Sequence, residues 1–142
     1  MGAVEEYVVS LLAEILGEQP ERGKSYPWAR GDTSQKTGHA RQLPFDAVWE
    51  TRRLIVEVDE SQHRQSEPFF DHVETLTVSG VHRGEQRRIY DQRKRAAARR
   101  EGYLVLEIPW KGSRSLRRRD RETDLQLYRQ ILRETGVTDG SA

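Results

Sequence analysis

The spacing of hydrophobic positions along the chain predicts a helix followed by a β-hairpin. Residues 4–16 place apolar side chains at i, i+3, i+4 and i+7, the period of an amphipathic helix, and Gly17 is a typical helix end. Residues 43–49 and 54–58 are apolar runs of strand length. Because only the polar residues 50–53 separate them, we expect the two strands to pair as a hairpin.

The second half of the chain predicts a helix, a strand and a last helix. Good helix formers fill residues 84–101 up to Gly102, and the helical period returns over 120–135. Between them, residues 103–108 form a short apolar strand that Pro109 closes. A helix that connects a hairpin to a further strand predicts an α/β (α+β) fold, in which helices flank a mixed central sheet on both faces.

A length of 142 residues predicts one domain, with its core over about 4–135 and a flexible tail at 136–142. Residues 17–43 show no hydrophobic period and are rich in glycine, proline and polar side chains, which predicts a long polar loop. Residues 76–78 are compatible with either a short strand or part of a lid.

The composition argues against a membrane or secreted protein. No apolar stretch approaches the roughly 18 to 20 residues of a membrane span. The first apolar run contains three glutamates and has no basic residue ahead of it, unlike a secretory signal. Since the chain has no cysteine, it offers no disulfide, thiolate metal site or cysteine nucleophile. We therefore expect a cytoplasmic protein with no membrane partner.

The formal net charge of +1 conceals a strong division along the chain. Residues 1–82 hold 8 Lys/Arg and 14 Asp/Glu, a net −6, whereas residues 83–133 hold 16 and 7, a net +9. The last nine residues add −2. Such segregation predicts that one surface meets a polyanion while another gathers acids. Of the 24 basic residues 20 are arginine, whose planar fork of donors suits phosphate, although a GC-rich genome would also favour arginine.

Three acidic residues of the predicted hairpin are expected on one face. If the turn has two or four residues, paired positions sum to 103 and Asp46 lies opposite Glu57, with Cβ atoms about 5 Å apart. Asp59 shares this face, whereas a three-residue turn would move Asp46 to the other one. Carboxylates this close repel unless a cation or a raised pKa relieves them, which favours a divalent ion such as Mg²⁺. The alternative is a solvated strand face beside exposed arginines.

His63 follows Asp59 by four residues, in a segment too polar for the core. An isolated loop histidine is most often simply exposed. Beside a metal site, however, it would serve as a general base or hold the leaving group, which makes it a candidate catalytic residue.

The acidic residues form a pattern that resembles the core of the PD-(D/E)xK nuclease superfamily. The segment 56–63 has the sequence Val-Glu-Val-Asp-Glu-Ser-Gln-His, and Asp46 precedes Glu57 by eleven residues. This pattern is most similar to the very-short-patch-repair-like endonucleases, including the DUF559 domains, whose signature is an Asp followed by Glu-x-Asp-Gly-x-x-His.

A second motif resembles the same branch. Residues 90–94 are Tyr-Asp-Gln-Arg-Lys, similar to the family's Asp-x-x-Arg helix. From Gly102 the chain continues Gly-Tyr-Leu-Val-Leu-Glu-Ile, similar to its Gly-Tyr-x-Val-Leu strand. The resemblance covers about 43–110, and the helix at 4–16 matches the family's first element.

The resemblance implies a restriction-endonuclease-like core, α-β-β-(β)-α-β-α, and a metal-dependent endonuclease that hydrolyses DNA phosphodiester bonds. Asp46 and Asp59 would be ligands of Mg²⁺ or Mn²⁺. Glu57 would be a third carboxylate that binds the metal directly or through water. His63 would act near the scissile phosphate, and Lys94 would take the place of the family's helix arginine, in contact with phosphate or the acidic cluster.

Departures from the family pattern leave other functions open. Glu60 stands where the family has glycine, and Asp59 replaces the lysine of the (D/E)xK pattern. The chain could therefore be a DNA-binding module that keeps the fold without cleaving, or a nuclease subunit of a larger DNA-processing system, and a homodimer is also open. Some families place a first-helix glutamate near the metal, for which Glu6 and Glu14 are the candidates.

Arginines of the second half predict a surface for DNA, with double-stranded DNA as the expected partner. The helix at 84–101 has few apolar positions, so its basic stripe must be mostly exposed. Cations that neutralise phosphates give a salt-dependent, largely sequence-independent affinity, although pairing with nearby acids would occupy some of them. The candidates are Arg83, Arg87, Arg88, Arg95, Arg117 and Arg118.

Tyr26 and Trp28 lie with Arg30 in the glycine- and proline-rich segment. An aromatic side chain in such a loop can stack on a base or wedge between base pairs, which predicts DNA contacts for these three residues. The alternative is that Trp28 packs on the surface of its own domain.

Overall fold

The computed structural model describes residues 2–59, 83–110 and 119–137 and shows a mixed α/β fold. Its elements are α1 (Ala3–Leu16), β1 (Glu21–Lys24), β2 (Arg30–Thr33), β3 (Ala40–Gln42), β4 (Phe45–Trp49), a 3₁₀ turn (Glu50–Arg52), β5 (Leu54–Asp59), α2 (Arg83–Arg100), β6 (Leu104–Pro109) and α3 (Arg121–Glu134). The prediction of a mixed sheet flanked by helices is confirmed.

β4 and β5 form the predicted hairpin at the centre of a four-stranded sheet. The strand order is β1-β4-β5-β6, in which β4 is antiparallel to both β1 and β5, and β5 is parallel to β6. The parallel pair follows from connectivity, because α2 lies in the crossover that leads from β5 to β6. β5 is paired on both sides and covered on both faces, which explains its nearly unbroken apolar run.

The segment 17–43 differs from the expected polar loop, because it contains three short strands. β1 extends the sheet at its edge beside β4, and β2 pairs with β3 as a separate two-stranded hairpin. Each strand has only three or four residues, and β1 alternates between exposed and half-buried positions. Strands this short and polar show no hydrophobic period, so the pattern alone misses them.

Two helices cover one face of the sheet and α2 covers the other. α1 and α3 pack on the face that carries Leu54 and Val56. α2 packs on the opposite face, where Ala98 lies against the cluster that contains Ile55. Gly17, with a φ of 70°, ends α1 as predicted. Because side chains of β5 alternate between the two faces of the sheet, every second one packs towards α1 and α3 and the others face α2.

The core extends beyond its predicted end at residue 135. Val137 is 9% exposed and packs in the same cluster as α1 and α3, and its N–H donates to the Leu132 oxygen at 2.8 Å. Val137 therefore belongs to the core rather than to the tail that the sequence predicts from residue 136. Residues 138–142 lie outside the described part, as do 76–78. Among the described helices, none has the length and apolar character that a membrane crossing requires.

Candidate active site

The hairpin register places Asp46 opposite Glu57, as an even-numbered turn predicts. Ala47 pairs with Val56, and a four-residue turn joins the strands. Past the Ala47–Val56 pair, hydrogen bonds from backbone N–H groups to carboxylates join the two strands. The Asp46 N–H donates to Glu57 Oε2 at 3.1 Å, and the Val58 N–H donates to Asp46 Oδ2 at 2.8 Å. The two carboxylates thus meet at the end of the β4–β5 ladder.

Lys94 of α2 supplies a cation to Glu57. Its Nζ forms an ion pair with Glu57 and donates to the Pro44 carbonyl oxygen at 2.9 Å. The side chains of Lys94 and Glu57 are only 12% and 13% exposed. Burial raises the pKa of Glu57 most, the charge of Lys94 opposes this, the charge of Asp46 adds to it, and the resulting pKa is about 7. Glu57 therefore exchanges a proton near neutral pH.

A fourth carboxylate, Glu5 of α1, lies beside Asp46, and the sequence did not single it out. Its pKa is raised by burial first and then by the charge of Asp46, while Arg22 lowers it. Arg22 bridges the two acidic residues, because its Nη2 lies 2.8 Å from Glu5 Oε2 and its Nε donates to the Asp46 backbone oxygen at 3.1 Å. The first helix therefore adds an acid to the cluster.

Glu5, rather than Glu6 or Glu14, is the first-helix acid at this cluster. Glu6 is more than half exposed and pairs with Nη1 of the same Arg22, and Glu14 pairs with Arg121 of α3. The charge of Asp46 acts on Glu5. The helical period contained the signal, because Glu5 precedes Val8 by three residues and Leu12 by seven and so shares their buried face.

A pocket of about 240 Å³ joins the predicted acids to the basic face of α2. Its lining includes six of the predicted site residues, namely Asp46, Glu57, Asp59, Arg87, Lys94 and Arg95. The acids come from the hairpin and the cations from α2, because α2 crosses the sheet face that carries Glu57. Groups of opposite charge converge in one concavity, an arrangement that can accept both a divalent cation and a phosphate.

Two further acids, Asp91 and Glu107, line the same pocket. The Asp91 carboxylate lies 4.0 Å from Lys94 Nζ and from Arg95 Nη2, and Arg95 also forms an ion pair with Glu107. The sequence could have identified Asp91, because it precedes Lys94 by three residues and therefore lies on the same side of α2. Glu107 is found only from the tertiary structure, because it shares the face of Glu57 through the parallel register of β5 and β6.

The carboxylate oxygens at this pocket are of the kind that Mg²⁺ and Mn²⁺ prefer, but acids of the pocket already have partners within the protein. Asp46 accepts a hydrogen bond from the Val58 N–H, and Glu57 pairs with Lys94. Over 2–59, 83–110 and 119–137, no group of three or more His, Asp or Glu side chains has the geometry of a metal site. The donor set fits a hard divalent ion by its chemistry, and binding would require Glu57 to exchange Lys94 for the ion.

The other predicted basic residues lie in different surroundings. Arg88 is exposed on α2, and Arg30 is exposed on β2, where its Nε donates to a backbone carbonyl at 2.9 Å. Arg83 is the first residue of α2. Outside the described residues lie His63, Arg117 and Arg118. Among the predicted arginines whose exposure the structure describes, Arg87 is the exposed one that lines the pocket.

Tyr26 and Trp28 pack against the domain itself, the alternative that the sequence left open for Trp28. Their rings stack with centroids 4.5 Å apart and contact Phe45 and Tyr103 at 5.8–6.0 Å. The Tyr26 hydroxyl donates to Glu50, and burial together with this bond raises the Tyr26 pKa. Both rings are partly buried by these contacts within the domain.

The candidate site is thus a polar pocket at one end of the sheet, with acids from the hairpin, α2 and β6 and cations from α2. Glu5 of α1 lies beside Asp46 but does not line the pocket. Comparisons of the chain with protein-family models, with curated proteins and with solved structures find no match.

Proposed function

We propose that the chain is a metal-dependent endonuclease that hydrolyses DNA phosphodiester bonds in the cytoplasm. One observation carries the proposal, namely that the hairpin brings Asp46, Glu57 and Asp59 into a pocket that α2 lines with Lys94 and Arg87. Phosphodiester hydrolysis of this kind needs acidic groups that hold a divalent ion and cations that bind the phosphate. Both kinds of group lie within one pocket of about 240 Å³.

The order of the elements supports the same proposal. The chain runs from α1 through the β4–β5 hairpin to α2, β6 and α3. The resemblance implies the same order, α-β-β-(β)-α-β-α, for a restriction-endonuclease-like core, and β1 and the β2–β3 hairpin would be additions to it. α2 lies in the crossover from β5 to the parallel strand β6, over the face of the hairpin that bears Glu57.

In the proposed enzyme, Asp46, Glu57 and Asp59 would hold Mg²⁺ or Mn²⁺. Such an ion, when bound, lowers the pKa of a water molecule and stabilises charge on phosphoryl oxygens. The chain's own groups have separate tasks. The Val58 N–H fixes the orientation of the Asp46 carboxylate, and the Asp46 N–H fixes that of Glu57. Lys94 would donate hydrogen bonds to the phosphate oxygens.

Nicking of supercoiled plasmid tests the proposal. The wild-type chain should nick the plasmid with Mg²⁺ or Mn²⁺, and EDTA should abolish the activity. Asp59→Asn should lower the nicking rate by about 100-fold or more, because it removes a carboxylate from the pocket. Asp59 is exposed, so this variant should keep the unfolding midpoint of the wild type within a few degrees.

Glu101→Gln is the matched control for this experiment. It also neutralises one exposed acid, but Glu101 follows the last residue of α2 and does not line the pocket. The control should nick at the wild-type rate. Equal rates for Asp59→Asn and the control, or nicking that persists in EDTA, would contradict the proposal.

DNA binding without cleavage is a second candidate function, which the Lys94–Glu57 ion pair favours. This pair neutralises one of the three carboxylates inside the protein, so the fold does not need a metal to relieve their repulsion. A binding module should shift DNA in a gel with an affinity that falls steeply with salt, and neither metal should produce nicking. An affinity that barely changes between low and moderate salt would exclude this function.

A further inference from the structure

A second cavity, of about 710 Å³, continues from the candidate active site. It lies between the β2–β3 hairpin and the first half of α2, and residues within 31–44 and 86–91 line it. We call it the hairpin groove. Arg87 and Asp91 line both cavities, so a molecule bound in the active-site pocket can extend into the groove.

Close contacts fix the wall of the hairpin groove to α2. A Cβ atom at Gly31 would lie 2.6 Å from the Tyr90 ring, so only glycine permits this approach. The Tyr90 hydroxyl accepts a hydrogen bond from the Asp32 N–H at 2.9 Å, and the Asp32 carboxylate pairs with Arg93 at 2.7 Å. The groove is therefore a built feature of the fold rather than a gap between loosely associated elements.

The lining of the groove combines cations with apolar surface. Arg41 and Arg87 are exposed, and His39 adds an imidazole. Leu43 and Tyr90 supply apolar contacts. A nucleotide presents the complementary groups, with an anionic phosphate at one end and a largely apolar sugar and base at the other.

Of the two acids in the lining, Asp32 is paired with Arg93 at 2.7 Å. Asp91 belongs to both cavities, and the α2 cations 4.0 Å from it also pair with acids at the active-site pocket. Arg41 lines the groove and not the active-site pocket, and it is an exposed cation that an anionic group of a ligand can meet.

The size of the groove favours one nucleic-acid strand over a duplex. A volume of about 710 Å³ is that of a site for a small organic molecule, equivalent to a few nucleotide units. A cavity of this volume holds nucleotide units of one strand and not the full cross-section of a duplex.

We infer that the hairpin groove binds the nucleotides of one DNA strand that flank the phosphate in the active-site pocket. The preferred substrate is then DNA with an unpaired strand at the cleavage site. This inference rests on the proposed endonuclease function and adds a substrate class to it. Arg41 and Arg87 contact the flanking phosphates, and Leu43 and Tyr90 contact the sugars and bases.

Fluorescence anisotropy with a labelled 12-nucleotide single strand, and with the same sequence as a duplex, tests the inference. EDTA is present, so binding is measured without cleavage. The wild type should bind the single strand several-fold more tightly than the duplex. Arg41→Gln should weaken single-strand binding about five- to tenfold and lower the salt slope by about one, since one phosphate contact is lost. Arg41 lines the groove and not the active-site pocket.

Arg133→Gln is the control, because Arg133 is exposed in the last turn of α3 and lines neither cavity. It should change the affinity by less than about twofold. Equal losses in both variants, or tighter binding of the duplex, would overturn the inference. If Arg41→Gln alone loses binding while the wild type nicks no plasmid, the endonuclease is refuted and the groove stands. If the wild type nicks and Arg41→Gln binds normally, only the groove is refuted.

Discussion

At the scale of single residues, the ionisation of Glu57 lowers the free energy of unfolding of the chain. Burial holds its proton in the folded chain up to a pKa of about 7, whereas the unfolded chain loses it near 4.5. Because the folded state binds the proton more tightly, the free energy of unfolding falls as the pH rises from about 4.5 to about 7. Above about pH 7 the folded chain carries the free-energy cost of a buried, ionised Glu57, and a bound cation would offset this cost.

Glu57→Gln should remove this pH dependence, because the amide cannot ionise. At pH 5 the variant and the wild type should have nearly equal free energies of unfolding. At pH 8, in EDTA, the variant should be more stable by on the order of 2 kcal/mol. Urea unfolding at the two pH values measures the difference. Glu101→Gln should follow the wild type throughout, and a Glu57→Gln variant less stable than the wild type at pH 8 would contradict the dominance of burial.

At the scale of elements, one carboxylate holds the turn on which the register of the acids depends. Glu50 lies in the 3₁₀ turn and accepts hydrogen bonds from Tyr26, from Tyr103 at 2.9 Å and from Lys24 at 3.1 Å. Burial alone would raise the pKa of Glu50, but these three donors together lower it. The hairpin turn is thus tied to the chain after β1 and to the residue before β6, at the end of the sheet opposite the pocket.

Glu50→Gln should lower the free energy of unfolding by about 1–2 kcal/mol at pH 7, because charge-assisted hydrogen bonds become neutral ones. The folded pKa of Glu50 lies below 4.5, so its contribution is complete above that pH and is lost as the pH falls through the folded value. Urea unfolding at pH 7 and pH 3.5 should therefore show a smaller loss in acid. Coupling with Tyr103→Phe in a double-mutant cycle checks the partner, and additive effects would contradict the contact.

Local spacing was enough to predict the elements that carry the acids. The hairpin of β4 and β5 and the helix that bears Lys94 depend on periods of two or 3.6 residues. The face shared by Asp46 and Glu57 also depends on the even number of residues in the turn. The short strands β1 to β3 were missed because three or four residues are too few for a period. Val137 was missed because a single buried residue after a helix has no pattern at all.

At the scale of the whole molecule, the fold explains how a chain of net charge +1 can present two strongly charged groups of residues. The acidic first part supplies the hairpin, and the basic second part supplies α2. The crossover from β5 to β6 lays α2 on the acidic face, so the two groups meet at one pocket. The near-neutral total is the sum of these opposed groups.

Mg²⁺ should stabilise the folded chain more at pH 8 than at pH 5.5, because the ion binds ionised carboxylates of a site that the unfolded chain lacks. With a Kd of about 1 mM, 10 mM Mg²⁺ adds about 1.4 kcal/mol, which is a rise in Tm of about 3–6 °C. Thermal unfolding against NaCl of equal ionic strength measures this shift. Asp59→Asn should abolish it, and an equal shift at both pH values would contradict a carboxylate site.

The four-residue turn seen in the structure decided the common face of Asp46 and Glu57, which the sequence had left open. The sequence by itself determined the order of α1, β4, β5, α2, β6 and α3 and the pairing of β4 with β5. These features depend on neighbours along the chain or across one short turn, and hydrophobic periods record such neighbours directly.

Only the tertiary structure decided which other groups join the acids. Glu5 and Glu107 reach the site because α1 and β6 dock beside the hairpin, some fifty residues away from it along the chain. The packing of Tyr26 and Trp28 against Tyr103 has the same origin. Contacts of this kind are set by how the helices and strands pack together, and no local period of the sequence encodes that packing.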